Sequence, residues 1–159
     1  MMTVSLICVG KLKEKYLRDA LLEYSKRLSR FCRLEITELP DEKIPGNASA
    51  AEEAQILMRE GKRILANIKD GTPIVAMCIE GKLVSSEDMA EQVECFAMQN
   101  GRAAFVIGGS LGLSDEVKSR AAAKISFGRI TLPHQLMRVV LTEQIYRAFK
   151  IINNEAYHK

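Results

Sequence analysis

Two glycine-containing loops in the C-terminal half of the sequence have the residue types of a ligand-binding site. The first, at residues 108–113, follows the short apolar run 103–107, and the second, at residues 128–132, follows the apolar run 125–127. Glycine lets the backbone pass close to a ligand, and ligands of open α/β sheets bind beyond the carboxyl ends of the strands. The sequence therefore predicts a binding site formed jointly by these two loops.

The two loops lack the motifs of the common nucleotide sites. Serine lies two places after Gly108 and leucine two places after Gly109, so the G-x-G-x-x-G dinucleotide fingerprint fails in both registers. No Gly-Lys-Ser/Thr follows, which excludes a P-loop. The next helix is predicted to begin after Ser114, with Asp115 and Glu116 in its first turn, and these carboxylates repel a phosphate. A ligand without phosphates suits these loops better.

The order of apolar runs predicts an α/β fold in one domain that spans residues 1–159. Strand-like runs at residues 3–9, 34–39, 73–79, 103–107 and 125–127 alternate with stretches of helical periodicity. Such alternation predicts a mostly parallel sheet of five to six strands with helices on both faces.

Local signals predict several element boundaries. Ser49 and Glu52, and likewise Ser85 and Asp88, have the spacing of residues that cap a helix start. Gly81, followed by a lysine, is predicted to turn the chain after the third strand. The helix after this turn is expected to end at residues 100–101, which are Asn-Gly.

Composition limits the function classes. At 159 residues and 47% hydrophobic content the chain is long enough for one well-buried core. Its four cysteines are widely spaced and its two histidines lie far apart, which predicts buried thiols and no metal site. The first apolar run is too short for a signal peptide, and no segment approaches the ~20 apolar residues of a membrane span. We therefore expect a cytoplasmic protein that does not contact membranes.

The net charge of +3 is unevenly distributed along the chain. Residues 1–33 have a balance of +5, residues 34–100 of −7, and residues 101–159 of +5. The two basic ends are consistent with one RNA-binding face, but charge alone favours plain segregation of surface charge.

The last predicted helix has more apolar surface than one core needs. Its wide apolar face contains Met137, Val140, Leu141, Ile145, Ala148, Ile151 and Ile152. Val139 and Tyr146, with Phe149 nearby, lie on the opposite side. Either neighbouring loops or a second subunit would cover that side. His134, in the first turn, is expected to be structural, with a place in the lining of the site as the alternative.

Three segments of the sequence resemble one known family. Residues 7–28, 105–114 and 126–159 are similar to the RlmH family of the SPOUT superfamily of methyltransferases. The most specific parts are residues 132–135 (LPHQ), with the helix that follows, and residues 157–159 (YHK). The resemblance covers essentially the whole chain, and it implies an S-adenosyl-L-methionine-dependent enzyme that methylates N3 of a pseudouridine in 23S ribosomal RNA.

The resemblance implies roles for particular residues. The cofactor contacts would be Met77, Gly108, Phe127, Gly128, Arg129, Ile130, Thr131 and Leu132, most of them through backbone atoms. Judged without the family, the apolar members of this set would be ordinary core residues. In catalysis, His158 would take the N3 proton or hold the uracil edge, and Tyr157 would stack on the base. Arg138 would meet an RNA phosphate or the cofactor carboxylate, with an exposed, solvated arginine as the alternative.

The implied partners are RNA and a second copy of the chain. Lys159, Lys11, Lys13 and Lys15 are the expected contacts with 23S rRNA in the assembled ribosome. The family pairs its last helices in a homodimer, and each tail closes over the cofactor pocket of the partner. The implied fold contains a deep trefoil knot at about residues 103–152, followed by a tail at residues 153–159. A non-enzymatic ribosome- or RNA-binding factor of the same fold is the alternative, because fold does not fix function.

Overall fold

The computed structural model describes all residues from 1 to 159 and contains five strands that alternate with five helices. The strands are β1 (Met2–Val9), β2 (Cys32–Leu39), β3 (Ile74–Leu83), β4 (Arg102–Ile107) and β5 (Ala123–Ser126). The helices are α1 (Lys15–Leu28), α2 (Ala50–Ala66), α3 (Ser86–Gln99), α4 (Asp115–Arg120) and α5 (His134–Ile152). All neighbouring strands pair in parallel, in the order β2-β1-β4-β3-β5. The predicted α/β fold with a parallel sheet is confirmed.

Side chains on opposite faces of the sheet form two separate cores. The larger core joins the sheet to α3, α5 and the end of α1, and includes the buried residues Leu6, Phe105 and Ile145. On the other face, Val106 packs in a cluster with Ile64 of α2 and with α4. Because β1 and β4 are covered on both sides, their sequences are almost continuously apolar. Helices therefore lie on both faces, as predicted.

The predicted caps define the starts of α2 and α3. The Ser85 hydroxyl accepts a hydrogen bond from the Asp88 N–H at 3.0 Å, and the Asp88 carboxylate accepts one from the Ser85 N–H at 2.8 Å. Ser49 accepts from the Glu52 N–H at 3.2 Å, so α2 has the serine half of the same motif. Helix α3 ends before Gly101, whose φ of +64° suits glycine. These boundaries confirm the predictions.

The turn predicted at Gly81 is wrong. Strand β3 continues to Leu83, and both Met77 and Lys82 are register partners of Ile125 in β5, so residues 78–81 form a bulge between two paired segments. A Cβ atom at Gly81 would lie 2.7 Å from backbone atoms of Ile125. Glycine is therefore needed at this position because β3 and β5 lie very close together. The sequence pattern does not distinguish this role from a turn.

The second apolar side of α5 is covered by α1 of the same chain. Phe149 is 7% exposed and stacks on Phe31, with ring centroids 5.6 Å apart. Tyr146 contacts Tyr24 and Phe31 at centroid distances of 6.4 and 6.0 Å. Val139 packs against a small cluster formed by α1 and the preceding loop. Phe149 therefore belongs to the core of its own chain, and α1 covers this part of the helix instead of a loop or a second subunit. The knot implied for residues 103–152 stays a prediction.

The cysteines follow the predicted pattern with one exception. Cys8 and Cys32 are buried, and burial raises the pKa of each thiol to about 12. Cys78 is half-buried, whereas Cys95 is exposed on α3, contrary to the expectation of buried thiols. No three His, Cys, Asp or Glu side chains form a group that would hold a metal ion.

Candidate functional site

A cavity of about 860 Å³ opens beyond the carboxyl ends of β4 and β5, beside residues 77–80 of β3. Seven of the eight residues predicted to contact the cofactor line it: Met77, Gly108, Phe127, Gly128, Ile130, Thr131 and Leu132. Arg129 is not part of the lining. These residues come from three separate stretches of the sequence, and the sheet order brings them together because β3 lies between β4 and β5.

The first glycine loop is held in shape by its own backbone. A Cβ atom on Gly108 would lie 2.3 Å from the carbonyl oxygen of Gly112. The N–H of Gly112 donates to the carbonyl of Gly109 at 3.0 Å, and Gly112 has a φ of +83°. The glycines are thus needed to fold the loop tightly, in addition to any close approach by a ligand.

The second loop combines a short hydrogen-bonded turn with an exposed apolar side chain. The Ser126 hydroxyl donates to the Gly128 carbonyl and accepts from the Gly128 N–H, both at 3.1 Å. Gly128 has a φ of +128°, which favours glycine at this position. Ile130, two residues further on, is 81% exposed and lines the cavity. This loop therefore presents apolar surface that a ligand would cover.

His134 lines the cavity from the first turn of α5, which agrees with the alternative to a purely structural role. Burial lowers the pKa of His134, and the positive charge of Arg138 lowers it further, while Asp41 acts in the opposite direction. The imidazole is therefore neutral near pH 7. A neutral ring can both donate and accept a hydrogen bond.

Arg138 is fully buried, which excludes the alternative of an exposed, solvated arginine, and its catalytic role stays a prediction. Its side chain is 0% exposed and forms an ion pair with Glu38 at 2.7 Å. The guanidinium also donates to the carbonyls of Val9 and Gly10, at 3.2 and 2.8 Å. Arg138 therefore ties α5 to the ends of β1 and β2, and it is absent from the cavity lining.

The tail residues Tyr157 and His158 lie on a different surface from the cavity. The Tyr157 hydroxyl donates to Glu143 at 3.1 Å, and its ring meets the Tyr146 ring edge-on at 4.9 Å. The guanidinium of Arg147 lies 4.7 Å from the centre of the Tyr157 ring. Burial and the bond to Glu143 raise the pKa of Tyr157 to about 12, so the phenol is neutral. The tail is docked on α5 of its own chain, and none of its residues lines the cavity.

The ring of His158 is held between two charged side chains. Its Nδ1 lies 3.2 Å from Nη1 of Arg147, and its Nε2 lies 2.8 Å from Oε1 of Glu87. A guanidinium only donates hydrogen bonds, so Nδ1 must accept. The neutral ring therefore carries its proton on Nε2 and donates it to Glu87.

The lysines expected to bind RNA are exposed. Lys11 and Lys13 lie in the loop just after β1, and Lys15 begins α1 and pairs with Asp19 at 2.6 Å. This loop leaves the same edge of the sheet as the cavity, since β1 runs parallel to β4. Lys159 is exposed at the end of the tail.

Two charged residues of the cavity wall were missed by the sequence analysis. Glu80, in the β3 bulge, forms an ion pair with Lys118 of α4, and both side chains line the cavity. The hydrophobic periodicity predicts that Glu80 lies in a strand or a turn. No sequence pattern predicts the bulge that brings its side chain to the cavity formed by the two glycine loops. The only available signal was Gly81, whose lack of a side chain allows the close strand contact beside it.

No helix of the structure has the length and apolar character required to span a membrane.

Comparison with known proteins agrees with this arrangement. The family model described as predicted SPOUT methyltransferase matches residues 2–158. The ribosomal RNA large subunit methyltransferase H 1 of Clostridium perfringens (strain SM101 / Type A) is 57% identical over 159 residues, which cover 99% of this chain and 100% of that protein. The ribosomal RNA large subunit methyltransferase H of Bacillus cytotoxicus is 55% identical and that of Clostridium botulinum (strain 657 / Type Ba4) 53% identical, with the same coverage. The chain therefore belongs to the SPOUT methyltransferase family.

Proposed function

We propose that this protein is an S-adenosyl-L-methionine-dependent methyltransferase that acts on N3 of a pseudouridine in 23S ribosomal RNA. The main support is that residues expected to contact the cofactor, drawn from β3 and from the loops after β4 and β5, line one cavity. The names of the full-length relatives support ribosomal RNA of the large subunit as the substrate class. With such a substrate the enzyme would work in the cytoplasm, on the assembled ribosome.

The cavity suits this cofactor in size and in chemistry. Its volume of about 860 Å³ lies within the range of ~300–1,000 Å³ typical of small-molecule sites. Met77, Ile130 and Leu132 offer apolar surface for an adenine ring, and the two glycine loops offer backbone N–H and C=O groups. The bound cofactor would supply an electrophilic methyl group on a sulfonium sulfur.

The protein's own contribution is mainly to position the acceptor. N3 would lose its proton to water and form a bond to the methyl carbon, while the carbon–sulfur bond would break and leave its electron pair on sulfur. Holding reactants in attack geometry can be worth an effective molarity of ~10⁵–10⁸ M, whereas a positioned base adds ~10²–10⁴-fold. We therefore assign to Tyr157 stacking on the base and to His158 a hydrogen bond from Nε2–H to the uracil edge, which the uracil would share with Glu87. The contact between Arg147 and Nδ1 supports the donor role over that of a base.

The proposed enzyme is a homodimer, because the cavity and the tail lie apart in one chain. A second copy would bring its tail to the cavity of the first, so that the cofactor and the acceptor base meet between two protomers. Lys159 would then lie beside that site, and Lys11, Lys13 and Lys15 would contact RNA phosphates near the same sheet edge.

A reconstituted reaction tests this function. Purified protein, S-adenosyl-L-methionine with a labelled methyl group, and ribosomes from a strain that lacks the gene are combined, and the modified nucleotide is located by mass spectrometry. We expect one added methyl per ribosome, on a pseudouridine of 23S rRNA. Ribosome binding without methyl transfer would instead support the non-enzymatic factor, and methylation of another nucleotide would contradict the proposed acceptor.

A further inference from the structure

The bulge in β3 places an ion pair on the cavity wall. Residues 78–81 leave the β3–β5 ladder between Met77 and Lys82, and they include Glu80. The Glu80 carboxylate pairs with the ammonium of Lys118 on α4, the helix that follows the first glycine loop. The side chains remain 57% and 26% exposed, so a ligand in the cavity can reach both. Bulges often re-aim side chains next to binding sites.

Glu80 and Lys118 are the only acidic and the only basic side chains that remain charged near pH 7 in the cavity lining. The hydrogen bond from Lys118 lowers the pKa of Glu80, and the same bond raises the pKa of Lys118, so both groups are ionised near neutral pH. The remaining wall consists of glycines, apolar side chains, hydroxyl groups, His134 and the thiol of Cys78, whose pKa burial raises. A ligand with one cationic and one anionic group would find complementary partners at this single place.

We propose that Glu80 and Lys118 bind the amino-acid end of S-adenosyl-L-methionine: Glu80 receives the α-ammonium group and Lys118 the α-carboxylate. This inference rests on the proposed cofactor and assigns residues outside the eight predicted contacts. The ion pair keeps the two charges a short distance apart, as they are in a zwitterionic amino acid. Binding exchanges one internal pair for two charge-assisted contacts, so neither protein charge is left without a partner.

Calorimetry with three probes tests the assignment. S-adenosyl-L-methionine and S-adenosyl-homocysteine contain the amino-acid end, whereas 5′-methylthioadenosine retains the adenosine and the sulfur without it. We expect Glu80→Gln and Lys118→Met each to weaken binding of the first two probes by about tenfold, the scale of a partly exposed hydrogen bond to a charged group. Binding of 5′-methylthioadenosine should not change. Lys118→Arg, which keeps the charge, should retain most of the affinity.

Matched controls separate this role from a structural one. Glu116→Gln and Arg120→Met alter exposed residues of the same helix α4 outside the cavity lining, and they should leave all three affinities unchanged. If the ion pair only stabilises the bulge, its variants will weaken all three probes equally or none of them, and either result overturns the proposal. If wild-type protein binds none of the probes, the proposed function itself fails, which is a different outcome.

Discussion

The cavity and the tail are built in different ways, although both are assigned to one reaction. The cavity residues are positioned by the sheet: the loops after β4 and β5 follow strands that flank β3, so they converge at one edge. The tail residues are positioned by side chains, since Tyr157 and His158 are held by Glu143, Arg147 and Glu87.

This difference indicates how the two regions respond to change. A site made by backbone loops tolerates the loss of individual side chains but not the addition of a Cβ atom where loops touch. A site made by a network of side chains responds to each member of the network. It also remains separable from the fold, because its residues contribute little to either core.

Deleting residues 157–159 should have the largest effect on activity. We expect ribosome methylation to fall by at least the ~10²–10³-fold that the loss of one positioned hydrogen-bond donor costs, while folding and cofactor affinity stay near those of the wild type. Initial rates and calorimetry measure the two properties separately. Tyr157→Phe is the matched control, because it keeps the ring and loses only the bond to Glu143. Full activity in the truncated protein would remove catalysis from the tail.

Arg138→Met should reduce stability rather than catalysis. The substitution removes a fully buried guanidinium, leaves the Val9 and Gly10 carbonyls without this donor, and breaks the pair with Glu38. We expect a loss of about 2–4 kcal/mol in the free energy of unfolding, somewhat less than for a pair buried on both sides, since Glu38 is partly exposed. Urea denaturation measures it, and Arg138→Lys should recover part of the loss. A catalytic defect without a loss of stability would support the catalytic role of Arg138.

Gly108→Ala tests whether the first glycine loop tolerates an added Cβ atom. The new Cβ atom would lie 2.3 Å from the Gly112 carbonyl oxygen, so the loop must move away from its present path. We expect about 1–3 kcal/mol of destabilisation, the cost of overpacking, together with weaker cofactor binding. Gly46→Ala is the control, because nothing lies within 4 Å of a Cβ atom there and its φ is not in the left-handed region. Equal behaviour of the two variants would mean that the loop adapts freely.

The sequence predicts the parts of the molecule that follow repeating patterns. The strands, the serine caps and the glycine loops have local signals, and the sheet order then gathers the loops. It does not predict the surroundings of Gly81, Phe149 and Arg138, because these depend on contacts between distant segments: a bulge against β5, a stack on Phe31, and an ion pair with Glu38. A buried arginine and an exposed one have the same sequence signature.

Glu87→Gln should have a smaller effect, confined to the tail. Glutamine still accepts a hydrogen bond from Nε2 of His158 but loses the charge, so the ring is held less firmly. We expect methylation to fall about threefold to tenfold with unchanged cofactor affinity. Nitrogen NMR of the His158 ring should show the proton on Nε2 in the wild-type protein. A proton on Nδ1 would contradict the assigned donor role.

The smallest expected effect concerns the other histidine, His134, which belongs to the cavity. Its folded pKa is lowered by burial and by Arg138, so between that value and the unfolded value of ~6.5 the unfolded chain binds more protons than the folded one. Stability must therefore decrease as the pH falls below about 6.5, until the folded pKa is passed. His134→Asn removes the titrating group, and its stability should decline less than that of the wild type between about pH 7.5 and pH 5. Thermal unfolding of both proteins across this range measures the difference, and the remaining acidic groups, common to both, cancel in the comparison. Parallel curves would mean that the His134 ring gains a proton as easily in the folded protein as in water, which would contradict its desolvation in the cavity wall.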